Sequence, residues 1–234
     1  MFRHLLMALV LAALFLPAVG LATEIAQISQ TAGGNNYILH DSGTSETFTA
    51  TTEVAITFYL AGAPVGQDGL LTLNATTHTT ATNPGGNYFS EGGFSGNFSI
   101  IDNTAGPDNG RNLLSGSFGS TYGTISGSGY SMTFADSTPG DSVVLSSFFL
   151  DFMPSNTQSF SFSLSNIEDA EGDPETLGFG AGGFLADNTS AGGATFAATP
   201  PPVIAPEPTT LLLSGGALLG MGFLLRKRKS RRVF

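Results

Sequence analysis

The reactive side chains of this 234-residue chain are three histidines and 18 carboxylates, with no cysteine. His40 and His78 stand among Ser, Thr and Asn, and neither belongs to a His pair spaced to put two imidazoles on one helix face for zinc. His40-Asp41-Ser42 has the residue types of a hydrolase triad. Consecutive side chains on an extended chain point to opposite faces, however, so these three cannot form a relay among themselves. No Gly-x-Ser-x-Gly elbow occurs, and without cysteine there is no thiolate nucleophile, thiolate zinc site or iron–sulfur cluster. Glycoside hydrolysis needs two carboxylates facing across a cleft, and no spacing here selects a pair. The densest carboxylate group is Glu168, Asp169, Glu171, Asp173 and Glu175, around Gly172 and Pro174. Five carboxylates in eight residues repel unless they are solvated or neutralised. A solvated acidic loop and a calcium site both account for them, although the order matches neither an EF-hand nor a Gly-rich calcium repeat. No cofactor is expected, the solvated loop being the preferred reading and calcium its alternative.

The elements that must carry these residues read as strands. Ser159 to Ser165 alternates strictly, placing Phe160, Phe162 and Leu164 on one face with a period no helix can use. Short runs bounded by Gly, Pro, Asn or Asp recur at 54–60, 70–75, 96–101, 113–118, 130–135 and 143–152. An apolar-Ser-Gly-x-Phe pattern occurs at 94–98 and again at 114–118, and Pro107-Asp108-Asn109-Gly110 between the two is a turn, so they read as successive antiparallel strands. The expected fold is all-β, a jelly-roll-like β-sandwich over residues 23–196, with a Phe-rich core and a Ser/Thr outer face.

Charge divides the chain. Between Thr23 and Ala205 there are 17 carboxylates and a single cation, Arg111. Such a domain has no phosphate cradle and no lysine chemistry, and it is not expected to bind nucleic acid. The other cations lie at the ends. Met1 to His4 carries Arg3, Leu5 to Leu16 is apolar throughout, and Gly20-Leu21-Ala22 offers small residues for a cut before Thr23, so residues 1–22 read as a secretory signal peptide. Thr209 to Leu225 is uncharged and, as a helix, about 26 Å long, which reads as a short transmembrane span. Arg226, Lys227, Arg228, Lys229, Arg231 and Arg232 follow as a stop-transfer tail that stays cytoplasmic and leaves the ectodomain outside. Gly216 and Gly220 are read as ordinary glycines of such a span. A Pro-rich linker, 197–205, is expected to stay extended and accessible.

Pro206-Glu207-Pro208, then one apolar helix, then an Arg-rich end resembles the PEP-CTERM sorting signal of proteins exported by Gram-negative bacteria that make extracellular polysaccharide. The resemblance covers roughly residues 205–232, which sets the expected sorting-signal segment at 206–234, and the strand-rich middle resembles ectodomains carried by such tails. It implies recognition of Pro206, Glu207 and Pro208 by exosortase, a membrane protease or transpeptidase, acting on an inner-membrane precursor that ends at the cell surface or outside it. The chain is accordingly expected to be a structural or adhesive component of an exopolysaccharide or biofilm matrix and not an enzyme. Its expected partners are exosortase, the membrane and extracellular polysaccharide. A secreted carbohydrate-binding module or polysaccharide-active enzyme is the alternative, with Tyr37, Tyr59, Tyr88, Tyr122 and Tyr130 as its only stacking residues besides Phe.

Overall fold

The computed structural model describes residues 23–60, 63–64, 66–106, 109–136, 143–153, 157–199 and 203–204. The expected signal peptide, span and basic tail, and the Pro-Glu-Pro motif, lie outside the described residues. Among those described, no helix is long and apolar enough to cross a membrane.

The strands follow in the order β1 (Thr23–Gln30), β2 (Tyr37–Asp41), β3 (Glu46–Phe58), β4 (Gln67–Thr77), β5 (Thr82–Gly85), β6 (Tyr88–Asp102) and β7 (Asn112–Ser128). After these come β8 (Ser131–Asp136), β9 (Val144–Ser146), β10 (Leu150–Asp151), β11 (Thr157–Glu168), β12 (Asn188–Thr199) and β13 (Val203–Ile204). All pairings are antiparallel, and they run β3 to β4 to β6 to β7 to β8 to β11 to β12. β1 then closes the circuit by pairing with β12 on one side and β3 on the other. β2 also lies between β3 and β12, so it continues the place of β1. β5 and β9 likewise extend the places of β4 and β8, beside β6 and β7.

The outcome is one all-antiparallel sheet of eight positions closed on itself. The expected jelly-roll winding is therefore corrected: neighbours in sequence are neighbours in space, which is an up-and-down meander, and one ring stands where a sandwich pairs two sheets. The expected linker also differs. Ala197 to Thr199 complete β12, and Val203 and Ile204 pair with Asp151 and Leu150. Backbone partners for these residues outweigh the tendency of the intervening prolines to remain solvated. The expected strand 143–152 is two short strands, β9 and β10, with a bend between.

An eight-stranded barrel encloses a space just wide enough for side chains. Here phenylalanine fills it. Along β3, Phe48, Ala50, Thr52, Val54, Ile56 and Phe58 are buried, while Thr47, Thr49, Thr51, Glu53 and Thr57 face outward. Phe160, Phe162 and Leu164 are buried on β11 as their alternation predicts. Phe134 sits among five rings, 5.2 Å from Phe48, 5.6 Å from Phe94, 5.5 Å from Phe118, 5.3 Å from Phe160 and 6.1 Å from Phe162. Gly116 on β7 pairs with Phe98, whose ring occupies the space a side chain on Gly116 would need. After β6 the Gly110 amide donates to the Asp102 carbonyl with Gly110 at φ 84°, while Pro107 and Asp108 of the expected turn lie outside the described residues.

Removing the central ring tests this packing. Phe134→Ala should cost about 3–5 kcal/mol in urea unfolding, whereas Tyr130→Ala, at an exposed site, should cost under about 0.5 kcal/mol.

Candidate functional site

Two acidic side chains lie inside the barrel at the end where β2 finishes and β3 begins. The period of β3 that buries Phe48 also turns Glu46 inward, and Glu91 on β6 faces it across Thr77 of β4. Glu46 is 0% and Glu91 1% exposed. The loop 177–187 caps this end. Its Leu177 amide donates to the Gly129 carbonyl, Gly180 and Ala186 amides to the Phe184 and Gly178 carbonyls, and Phe179 stacks edge-on against Phe89 at 5.1 Å. The buried Leu185 amide donates to Oε2 of both Glu46 and Glu91, at 2.9 Å each. One N–H cannot neutralise two carboxylates. Burial first, and then a hydrogen bond and charge repulsion from Glu91, push Glu46 up to about 10, while burial pushes Glu91 up as well. A shift of that direction and size favours the protonated form of Glu46 at neutral pH. Asp41 adds repulsion from β2. Sequence analysis did not single out Glu46 or Glu91, although extending the alternation of Val54, Ile56 and Phe58 back along the strand places Glu46 inside.

The residues that the sequence did single out lie elsewhere. His40 bonds through Nδ1 to Asp187 Oδ2 at 3.0 Å, and Asp187 Oδ1 accepts the Asp41 amide, so His40 joins a distant Asp and not its neighbour. Ser42 is taken up in its own turn, donating to the Ser45 carbonyl. His78 lies on the surface, with Nδ1 3.3 Å from the Thr44 carbonyl. In the acidic loop Asp169 Oδ1 accepts the Glu171 and Asp173 amides at 3.0 and 2.9 Å, and the Glu175 amide donates to the Ile167 carbonyl. The structure does not bring Glu168, Asp169, Glu171, Asp173 and Glu175 around one point, and among the described residues no three His, Asp or Glu side chains converge to hold a metal. Of the tyrosines, Tyr37 is buried in the core between Phe48 and Phe162, while Tyr59, Tyr88 and Tyr130 are exposed.

The outer face is built from uncharged polar rows. Register aligns Thr49, Asn74, Asn97 and Ser117 across β3, β4, β6 and β7, and Thr51, Thr72, Ser99 and Ser115 in the next row. Thr72 and Ser99 share a hydrogen bond of 2.7 Å. An open groove of about 480 Å³ lies over the β3, β4 and β6 part of these rows, lined by Thr49, Thr51, Thr72, Asn74 and Asn97 together with Asn35 and Asn36 of the loop after β1.

Beyond the barrel, residues 205–229 match the family of PEP-CTERM protein-sorting motifs. The match contains Pro206, Glu207, Pro208, Arg226, Lys227, Arg228 and Lys229 and stops short of Arg231 and Arg232. These residues carry a PEP-CTERM sorting motif, and that motif implies an exosortase-sorted, exported protein with a membrane-anchored precursor. Among curated proteins and among solved structures, nothing matches this chain.

The acid pair has a measurable sign. With Glu46 protonated in the fold up to about 10 and ionised in the unfolded chain above about 4.5, the folded state binds more protons in that window. Its contribution is therefore complete below pH 4.5 and is lost as pH rises toward 10. Glu46→Gln, neutral at every pH, should flatten this decline and raise Tm at pH 8.5 by at least about 2–4 °C, the shift expected for 1 kcal/mol in a domain of this size.

Proposed function

We propose that the barrel is a non-catalytic structural or adhesive unit of an extracellular matrix, delivered by its sorting signal and holding neutral polysaccharide on its outer face. The observation that carries this reading is the pair of hydroxyl and amide rows crossing four strands, of which Thr49, Thr51, Thr72, Asn74 and Asn97 line the groove. Adjacent strands lie about 4.8 Å apart, so the rows form a regular lattice of donors and acceptors with no charge in them. Sugars present hydroxyls at comparable intervals, and a neutral lattice meets them without the cost of desolvating a carboxylate. Glu46 and Glu91 are 0% and 1% exposed, and their burial supports a structural reading of that pair over a catalytic one. The turn that Asp169 makes with its own loop's amides supports reading Glu168 to Glu175 as a solvated loop.

At the membrane, Pro206, Glu207 and Pro208 act as the recognised substrate, residues 209–225 hold the precursor, and the cations from Arg226 to Arg232 keep its end cytoplasmic. The released or transferred barrel then reaches the surface.

Three measurements examine this reading. Asn74→Asp with Asn97→Asp places charge in the groove and should weaken retention by the producer's own matrix polysaccharide about tenfold or more with Tm unchanged; equal retention would remove the groove from the proposal. Intact mass of the exported protein should show loss of residues 226–234, and Glu207→Ala should leave them attached at the membrane. Millimolar Ca²⁺ should leave Tm unchanged, since only a ligand of the folded state raises it; a rise abolished by Asp169→Asn with Asp173→Asn would assign calcium to the loop.

A further inference from the structure

The way out of the barrel passes an apolar stretch. β12 ends at Thr199, and Val203 and Ile204 pair with Asp151 and Leu150, so the last described strand is fixed against β10. Only residues 205–208 separate Ile204 from the uncharged run that begins at Thr209. Even fully extended, that connection reaches no more than roughly 18 Å. Whatever surface lies around β10 must therefore sit close to the bilayer while the precursor is anchored.

That surface is unusual for this molecule. Within the ten residues 144–153, Val144 is 57%, Phe148 37% and Met153 49% exposed, and Asp151 is the segment's single carboxylate. Phe148 stands edge-on to Phe149 at 5.3 Å, and Phe149 in turn packs on Phe58 of the core, so the apolar stretch is backed by the barrel. Arg111, the one cation between residues 23 and 205, stacks over Phe148 with its guanidinium 4.4 Å from the ring centre. An exposed ring beneath a cation, with Val144 and Met153 also exposed in the same short segment, supplies the apolar and cationic groups of an interfacial membrane contact.

We propose that the segment 144–153 is a bilayer-resting surface that seats the barrel on the lipid while the tail is anchored, and so presents the Pro-Glu-Pro motif at the height of a membrane enzyme. This rests on residues 209–225 spanning the membrane. Phe179, by contrast, is exposed on the cap beside Glu46 and Glu91, at the opposite end of the barrel.

The chain has no tryptophan, so single substitutions report one site each. Full-length Phe148→Trp, Met153→Trp and Phe179→Trp would be reconstituted in vesicles of phosphatidylcholine and phosphatidylglycerol with brominated acyl chains, and flotation after carbonate washing would be read in the same samples. The expected result is that all three float, that Phe148→Trp or Met153→Trp loses about half or more of its emission relative to unbrominated vesicles, and that Phe179→Trp changes little. Floating protein with neither near-exit tryptophan quenched, or with all three quenched alike, would overturn the seating while leaving the anchor intact. Protein that fails to float would overturn the anchor and the seating together. Using two near-exit positions protects the test against one of them perturbing the fold.

Discussion

The pairing of β1 with β12 is the constraint on which the rest of the molecule depends. Six pairs of residues, from Thr23 with Ala198 to Ser29 with Gly193, join the first and last strands of the ring, and without them the sheet would have two long unpaired edges. Closure fixes the strand number, and eight strands fix the bore. A bore of that size can be filled by side chains alone, and Phe48, Phe94, Phe98, Phe118, Phe134, Phe160, Phe162 and Phe196 fill it. An even number of antiparallel strands also returns the chain to the end where it started. The residue that would follow signal cleavage and the residues that lead to the sorting motif therefore emerge side by side, leaving the capped end, with Glu46 and Glu91, facing away from both.

Much of this was legible in the sequence, for reasons that differ by element. Ser159 to Ser165 shows the strand period because every inward place is a large apolar residue and every outward one a serine. The turn at Gly110 was legible because its neighbours have strong local preferences. β1, β2 and β12 were not. β12 reads Asn188-Thr-Ser-Ala-Gly-Gly-Ala-Thr-Phe-Ala-Ala-Thr199, in which Asn188, Ser190, Ala194, Phe196 and Ala198 are buried, and polar residues and alanine carry too little hydrophobic contrast to reveal a face. Such strands are specified by their neighbours: Gly192 and Gly193 leave room for the backbones of β11 and β1, which a side chain at either place would strike. Closure itself is a pairing between residues at opposite ends of the domain, invisible to any local pattern. The sorting signal was the most legible feature because its three parts stand consecutively in the chain.

The buried acid pair shows the same limit in another form. A carboxylate in a row of alternating residues reads as an outward position by its polarity and as an inward one by its phase. In β3 the phase prevails at Glu46, because rotating that residue outward would turn Phe48 and Val54 out with it. The cost of burying the charge is lowered by keeping Glu46 protonated and by the amide of Leu185, which ties the cap to two strands that do not pair with each other. The cap is thus held by a group whose state depends on solution pH, whereas the Phe-filled interior beneath it is not.

A filled bore also decides where recognition can occur. Larger barrels hold ligands in the lumen, but Phe98, Phe134 and Phe162 occupy this one, so a ligand has to meet the outside. The period that sends a large side chain inward at every second place leaves the intervening places outward, and register then lines them up from strand to strand. Thr49 beside Asn74 and Asn97, and Thr51 beside Thr72 and Ser99, follow from that geometry with no further element to position them. The interior packing and the outer lattice are two faces of one alternation. A one-residue slip in any strand of the ring would bring Thr and Asn inside, expose Phe, and destroy both at once.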